Sequence, residues 1–156
     1  MQILTDEIIQ FFQNQGFTIV STVDRKGSLH NSCKGIVEIN KSGEVYLLDL
    51  YKGKTYKNLN RDPNISITAV DEHRFKGYCL KGKAEIMSAD RLNSQTTAAW
   101  EAKITSRLTQ RLLKNIREEK GHSRHPEVLL PKPEYMIAVE VREIIDLTPR
   151  HLKQGV

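Results

Sequence analysis

Cysteine is scarce in this chain: two among 156 residues, Cys33 and Cys79, far apart and outside any Cys-x-x-Cys pair. That spacing argues against structural zinc and against a thioredoxin-like dithiol. Aromatic residues make up only 6% of the chain, with a single tryptophan. No apolar run approaches the ~18 residues that a membrane helix needs. The opening stretch MQILTDEIIQ lacks the basic and long apolar regions of a secretory signal. The expectation is a cytoplasmic protein without a membrane segment. Internal repeats and low-complexity tracts are also missing. What remains, 38% hydrophobic and 28% charged, is the composition of a globular protein. The length fits one domain over residues 1–156, large enough to bury a core without disulfide staples.

The formal net charge is +5 and the isoelectric point about 9.2. A positive balance invites a nucleic-acid reading, so its location matters. Residues 1–90 carry a net +1, residues 91–124 a net +5 and residues 125–156 a net −1. The excess belongs to one segment and not to the whole surface.

The periodicity divides the chain into short elements. Residues 5–15 read as a helix: Thr5 can cap it, Asp6 and Glu7 suit its positive end, and Ile8, Ile9, Phe11 and Phe12 supply an apolar face. Residues 17–23, 28–39 and 44–50 read as strands separated by the turns Asp24-Arg25-Lys26-Gly27 and Asn40-Lys41-Ser42-Gly43. Tight turns make these an antiparallel meander, because parallel pairs need long crossovers. A glycine turn and a short helix follow, with Thr55 as expected N-cap and Asp62-Pro63 as the stop. Residues 64–70 and 78–87 read as the fourth and fifth strands, the latter alternating Leu80, Gly82, Ala84 and Ile86 against Cys79, Lys81, Lys83 and Glu85. Over residues 88–120, Trp100, Ile104, Leu108, Leu112 and Ile116 recur every four residues, the stripe of a helix closed by Gly121. A proline-rich loop leads to a last strand over residues 135–146. The expected fold is mainly β: six antiparallel strands in a small barrel with Greek-key-like returns, flanked by short helices and one longer helical segment at about 88–121.

Two stretches carry candidate chemistry. Lys52-Gly53-Lys54-Thr55-Tyr56-Lys57-Asn58 joins a glycine, a helix start, a cation and a hydroxyl, the parts of a phosphate cradle. The same residues also describe a solvated basic turn. Asn31-Ser32-Cys33-Lys34-Gly35 places small polar residues in mid-strand, where they are poor β-formers. Either their backbone faces a ligand or the strand is a bulged or solvent-facing edge.

Taken together, STVDRKGSLHNSCKGIVEI, GEVYLLDLYKGKTYKNLNRDPNISITAVD and FKGYCLKGKAEI resemble the FMN-binding split barrels related to pyridoxamine 5′-phosphate oxidase. The resemblance covers residues 17–87 and, more loosely, the last strand. It implies a homodimeric six-stranded split barrel with FMN near the subunit interface. Carried over, Lys54 and Thr55 would hold the FMN phosphate and Asn58 would buttress that loop. Asn31, Ser32, Cys33 and Lys34 would run beside the ribityl chain and ring edge, with Leu48 and Asp49 on the other side. A lysine and backbone N–H groups at that edge would stabilise an anionic ring. The implied function is a flavin-dependent oxidoreductase acting on a small molecule, with NAD(P)H as a possible donor. A non-enzymatic flavin carrier, or a barrel holding haem, a deazaflavin or nucleic acid, are the alternatives. The arginine-and-histidine motif with which the true oxidase grips its substrate has no match here. Arg150-His151 lies near the end in different surroundings, so pyridoxamine phosphate oxidation is not implied.

Four further features have more than one reading. Cys33 is a reactive thiol or a small packing residue. His122 and His125, spaced H-x-x-H, could ligate a metal or haem but have no third ligand nearby, so no metal site is expected. Trp100 could stack on a flavin, yet it begins an apolar stripe. Lys103, Arg107, Arg111 and Lys114 follow helical spacing. They form a solvated face, a nucleic-acid face without aromatic interleaving, or the border of a cleft that attracts anions.

Overall fold

A computed structural model of the protein describes residues 1–117 and 134–153. In chain order the elements are α1 (Asp6–Gln13), β1 (Thr18–Val23), β2 (Leu29–Ile39), β3 (Glu44–Leu48), α2 (Lys54–Arg61), β4 (Asn64–Asp71), β5 (Lys76–Ser88), α3 (Ser94–Ile116) and β6 (Tyr135–Asp146). Short 3-10 turns cover Ala89–Arg91 and Arg150–Leu152. The strands form a closed antiparallel barrel in the order β1-β2-β3-β6-β5-β4. The expected six-stranded antiparallel barrel is therefore the fold, with β1–β3 as the meander and β6 lying between β3 and β5. Among the described residues no helix is long and apolar enough to cross a membrane.

Period-two alternation places Val20, Val45, Leu47, Ile67, Leu80, Ile137, Val139 and Val141 inside the barrel, all but one of them wholly buried. Helix α1 adds Ile8, Phe11 and Phe12 to the same core, and Phe11 meets the Tyr78 ring edge-on at 5.1 Å. Thr5 caps α1 as expected, its Oγ1 accepting from the Ile8 N–H at 3.4 Å. Helix α3 packs outside the barrel. Its Trp100 and Ile104 form a second cluster with Leu48 and Met136 on the outer face of β3 and β6. Glu38 of β2 accepts from the Thr96 hydroxyl at 3.1 Å and pins the start of the helix.

Some sequence expectations need correction. Helix α2 begins at Lys54, one residue before the expected cap, and Gly53 is its N-cap with no side-chain hydrogen bond. Thr55 instead lies in the first turn with its side chain turned into the protein. The helical stripe of α3 does not stay buried: Ile116 is 78% exposed, because the helix outruns the sheet it packs on. Residue 88 belongs to β5, which runs further in both directions than its alternation indicated. His122, His125 and Gly121 lie outside the described residues, as does the Leu112 side chain.

Between β5 and β6 the register shifts at Lys81/Gly82. A Cβ on Gly82 would stand 2.0 Å from the Glu140 carbonyl oxygen and 3.1 Å from the Val141 Cα, all backbone atoms. Gly82→Ala should therefore destabilise the barrel by about 3 kcal/mol, the upper range for overpacking. Urea unfolding measures this, and a loss under about 0.5 kcal/mol would contradict the assigned register.

Candidate functional site

Antiparallel register decides which way the residues of β2 point. Thr18, Val20 and Thr22 of β1 face inward and lie opposite Lys34, Ser32 and His30. Ile19 and Ser21 face outward, opposite Cys33 and Asn31. The polar stretch of β2 is thus split, with Ser32 and Lys34 on the inner side and Asn31 and Cys33 exposed on the outer side.

Helix α2 meets the inner side. The Ser32 and Thr55 hydroxyl oxygens are 2.9 Å apart and share a hydrogen bond across 23 residues of sequence. Asn58, also buried, donates its side-chain N–H to Thr22 Oγ1 at 3.0 Å, so it ties α2 to β1. Lys54 remains exposed at the helix start. Beyond it lies a cleft of about 650 Å³ between α2 and the β1–β2 turn, bordered by Lys54 and Asn58.

The other end of the site is built around Asp49, whose side chain is 1% exposed. Lys34 Nζ donates to Asp49 Oδ1 at 2.5 Å, and the Tyr135 hydroxyl donates to Oδ2 at 2.9 Å. Both oxygens of this buried carboxylate are satisfied, one by a full charge. The geometry follows from strand pairing: Leu47 lies opposite Ile137, so two residues further on Asp49 comes level with Tyr135. Burial, reinforced by the Asp49 charge, pushes the Tyr135 hydroxyl far above the ordinary tyrosine range. The Tyr56 ring of α2 packs against Tyr135 at 5.0 Å, linking this group to the α2 end.

A second cleft of about 230 Å³ opens beside the pair, lined by Cys33, Lys34, Leu48, Asp49, Tyr51 and Arg107. Arg107 of α3 lies over Gly35, where a Cβ would fall 2.4 Å from its guanidinium. It also donates to the Gly16 carbonyl at 2.5 Å and stacks on the Phe17 ring at 4.8 Å. Of the three readings of the basic helix face, Arg107 takes the third: it borders a cleft. Trp100 packs against Leu48 and not into the cleft. Among the described residues no cluster of His, Cys, Asp and Glu could hold a metal ion.

Of the nine candidate residues, Cys33, Lys34, Leu48 and Asp49 thus meet at one cleft and Lys54 and Asn58 at the other. Ser32 and Thr55 tie β2 to α2 through their hydroxyls, and Asn31 points to the outer face. Tyr135, which the sequence did not single out, and Arg107, read there only as part of a cationic helix face, lie beside the same residues. Residues 4–135 match the model of the family described as pyridoxamine 5′-phosphate oxidase. The chain belongs to that family. Solved structures share the oxidase-like fold at low identity. HupZ of Group A Streptococcus is 21% identical with a TM-score of 0.64, covering 94% of this chain and 95% of its own. HutZ, the haem storage protein of Vibrio cholerae, is 18% identical with a TM-score of 0.54, over 93% and 94%. A Clostridium acetobutylicum protein related to general stress protein 26, of the pyridoxinephosphate oxidase family, is 13% identical with a TM-score of 0.55, over 94% of each chain. No curated protein matches the chain.

The Tyr135–Asp49 contact has a pH signature. In the unfolded chain a tyrosine ionises near pH 10, whereas Tyr135 in the fold keeps its proton. Its contribution to stability is full below about pH 10 and lost as the pH rises further. Tyr135→Phe should be about 1–2 kcal/mol less stable at neutral pH and lose less stability than the parent above pH 10. Urea titrations across that range test this, and parallel pH profiles for the two proteins would remove the contact from consideration.

Proposed function

We propose that this chain is an FMN-binding member of the oxidase family, working as a flavin-dependent oxidoreductase on a small-molecule acceptor. The observation that carries the reading is the Ser32–Thr55 hydroxyl contact. It joins the two stretches that the resemblance assigns to FMN, with the exposed Lys54 alongside. The residues fit the group. Lys54 and the first-turn N–H groups of α2 offer positive charge and donors to a phosphate, and Thr55 and Ser32 supply hydroxyls. When bound, FMN supplies the hydride and electron chemistry.

The chain's own residues then hold and polarise. Lys34 is oriented by Asp49, which in turn is fixed by Tyr135, so the ammonium is pre-positioned at the cleft where the ring edge would lie. Leu48 supplies an apolar wall. A nicotinamide nucleotide is the donor we assign. The missing arginine-and-histidine motif supports an acceptor other than pyridoxamine phosphate.

Homodimer formation is part of the same proposal. The outer face of β1, β4 and the first half of β2 presents Ile19, Ser21, Asn31, Cys33, Ser66 and Thr68, none of them charged, whereas α3 covers the β3–β6 face and reaches β2 at Gly35 and Glu38. Ile19 is 48% exposed there, and an uncharged sheet face of this kind suits a partner. Ile19→Asp should convert a particle of twice 17.9 kDa into one of 17.9 kDa in light scattering after size exclusion. A monomeric parent protein would refute the dimer.

Protein purified without added cofactor should be yellow and show flavin absorption bands. In fluorescence titration, Lys54→Ala combined with Thr55→Ala should weaken FMN binding by roughly tenfold or more. Protein that is colourless and does not quench FMN fluorescence would defeat the flavin reading. The second reading, haem, is favoured by the fold shared with HutZ. A Soret band in the purified protein, or on haem titration, would establish it instead. Steady NAD(P)H oxidation with an acceptor separates an enzyme from a carrier.

A further inference from the structure

The cleft beyond Lys54 holds more positive charge than one flavin phosphate calls for. Lys54, Lys57 and Arg61 line one wall, at the i, i+3 and i+7 spacing that sets them on one face of α2. Arg25 and Lys26, from the β1–β2 turn, line the other. Five cations therefore converge on a single cleft of about 650 Å³, a volume suited to a small ligand.

Intramolecular neutralisation does not account for them. Among the described residues Arg25, Lys26, Lys54 and Lys57 make no ion pair, and no acidic residue occupies the first turn of α2. The one carboxylate on the cleft, Asp24, accepts the Lys26 and Ser28 backbone N–H groups through Oδ1 at 2.8 and 2.9 Å, and its charge, felt by Arg61 and Lys54, offsets only one of the five. Arg61 is anchored to the same turn through the Val23 carbonyl oxygen, which brings the two cationic walls together. Like charges gathered on one concave surface repel one another unless an anion lies between them. Leu29, 77% exposed, and Tyr56 border the same cleft and give it an apolar side.

We propose that this cleft binds the pyrophosphate group of a nucleotide, with the base side resting near Leu29 and Tyr56. The site goes beyond the flavin reading: it shares Lys54 and Lys57 with the phosphate-cradle stretch, while Arg25, Lys26 and Arg61 lie outside it. The pyrophosphate could belong to the dinucleotide form of the flavin or to a nicotinamide donor. Both present the same chemistry to the cleft. A nucleic-acid strand fits less well, since its phosphates call for an extended basic track and not one concave cluster.

The test uses the full-length protein and isothermal titration with inorganic pyrophosphate. The double variant Arg25→Gln/Lys57→Gln should bind pyrophosphate at least tenfold more weakly. Lys81→Gln, on β5 away from the cleft, should bind like the parent. Both changes are at exposed positions, and circular dichroism checks that each variant is folded. Competition then identifies the source: displacement by FAD but not FMN assigns the site to the flavin, and displacement by NADH or NADPH assigns it to the donor. Pyrophosphate binding that persists in protein unable to take up FMN supports the cleft and counts against the flavin reading alone. Unchanged pyrophosphate affinity in the double variant would overturn the proposal. So would failure of every nucleotide to displace pyrophosphate, or stronger displacement by a single-stranded oligonucleotide.

Discussion

Asp49 is a carboxylate almost wholly withdrawn from water, and the site depends on keeping it satisfied. An isolated buried charge would be expensive, and removing one partner of such a group commonly costs about 3–5 kcal/mol. Lys34 from β2 and Tyr135 from β6 each take one of its oxygens. Three segments that are distant in sequence are thereby fixed to one point at the end of β3. The ammonium of Lys34 is not a mobile surface charge: its direction is set by a partner that cannot turn elsewhere. That rigidity is what makes the small cleft beside it a defined electrostatic environment.

The barrel's outer surface is divided between two uses. Helix α3 occupies β3 and β6 through Trp100, Ile104, Leu48 and Met136, and it carries Arg107 to the rim of the cleft. Glycine at position 35 is what lets that guanidinium lie down on β2. Beyond Gly35 and Glu38, where α3 reaches β2, the β1–β2–β4 face presents uncharged side chains such as Ile19, Ser21, Asn31 and Cys33. Alternate residues of the first half of β2 thus face the α2 side and the outer side.

Much of this was legible in the sequence because it is local. Alternation and turn residues located every strand, and β6 was read at its full extent. The meander followed from the tight turns. The stretch from Lys52 to Asn58 stood out by its glycine, cation and hydroxyl, and the fold brings its Thr55 to Ser32 of the other stretch. Thr55 was misread for a physical reason: threonine is a good cap, yet here its hydroxyl gains a buried partner in Ser32, and Gly53 takes the cap position. The contact between Tyr135 and Asp49 spans 86 residues and exists only once the barrel closes. Nothing near either residue announces it. Arg107 was visible as part of a cationic face, but periodicity cannot say what lies opposite a helix. Ile116 shows the reverse failure, since a stripe can continue in sequence after the surface it packs on has ended.

The place of β6 in the barrel has a consequence for biosynthesis. Without it, the pairings β3-β2-β1-β4-β5 make an open five-stranded sheet whose two edges are β3 and β5. Both edges are sealed by one strand, Tyr135–Asp146, the last of the six to leave the ribosome. At roughly 5–20 residues per second, the nascent chain spends several seconds with two unpaired, hydrophobic edges. A strand that completes the barrel so late is also the one whose truncation exposes both edges at once.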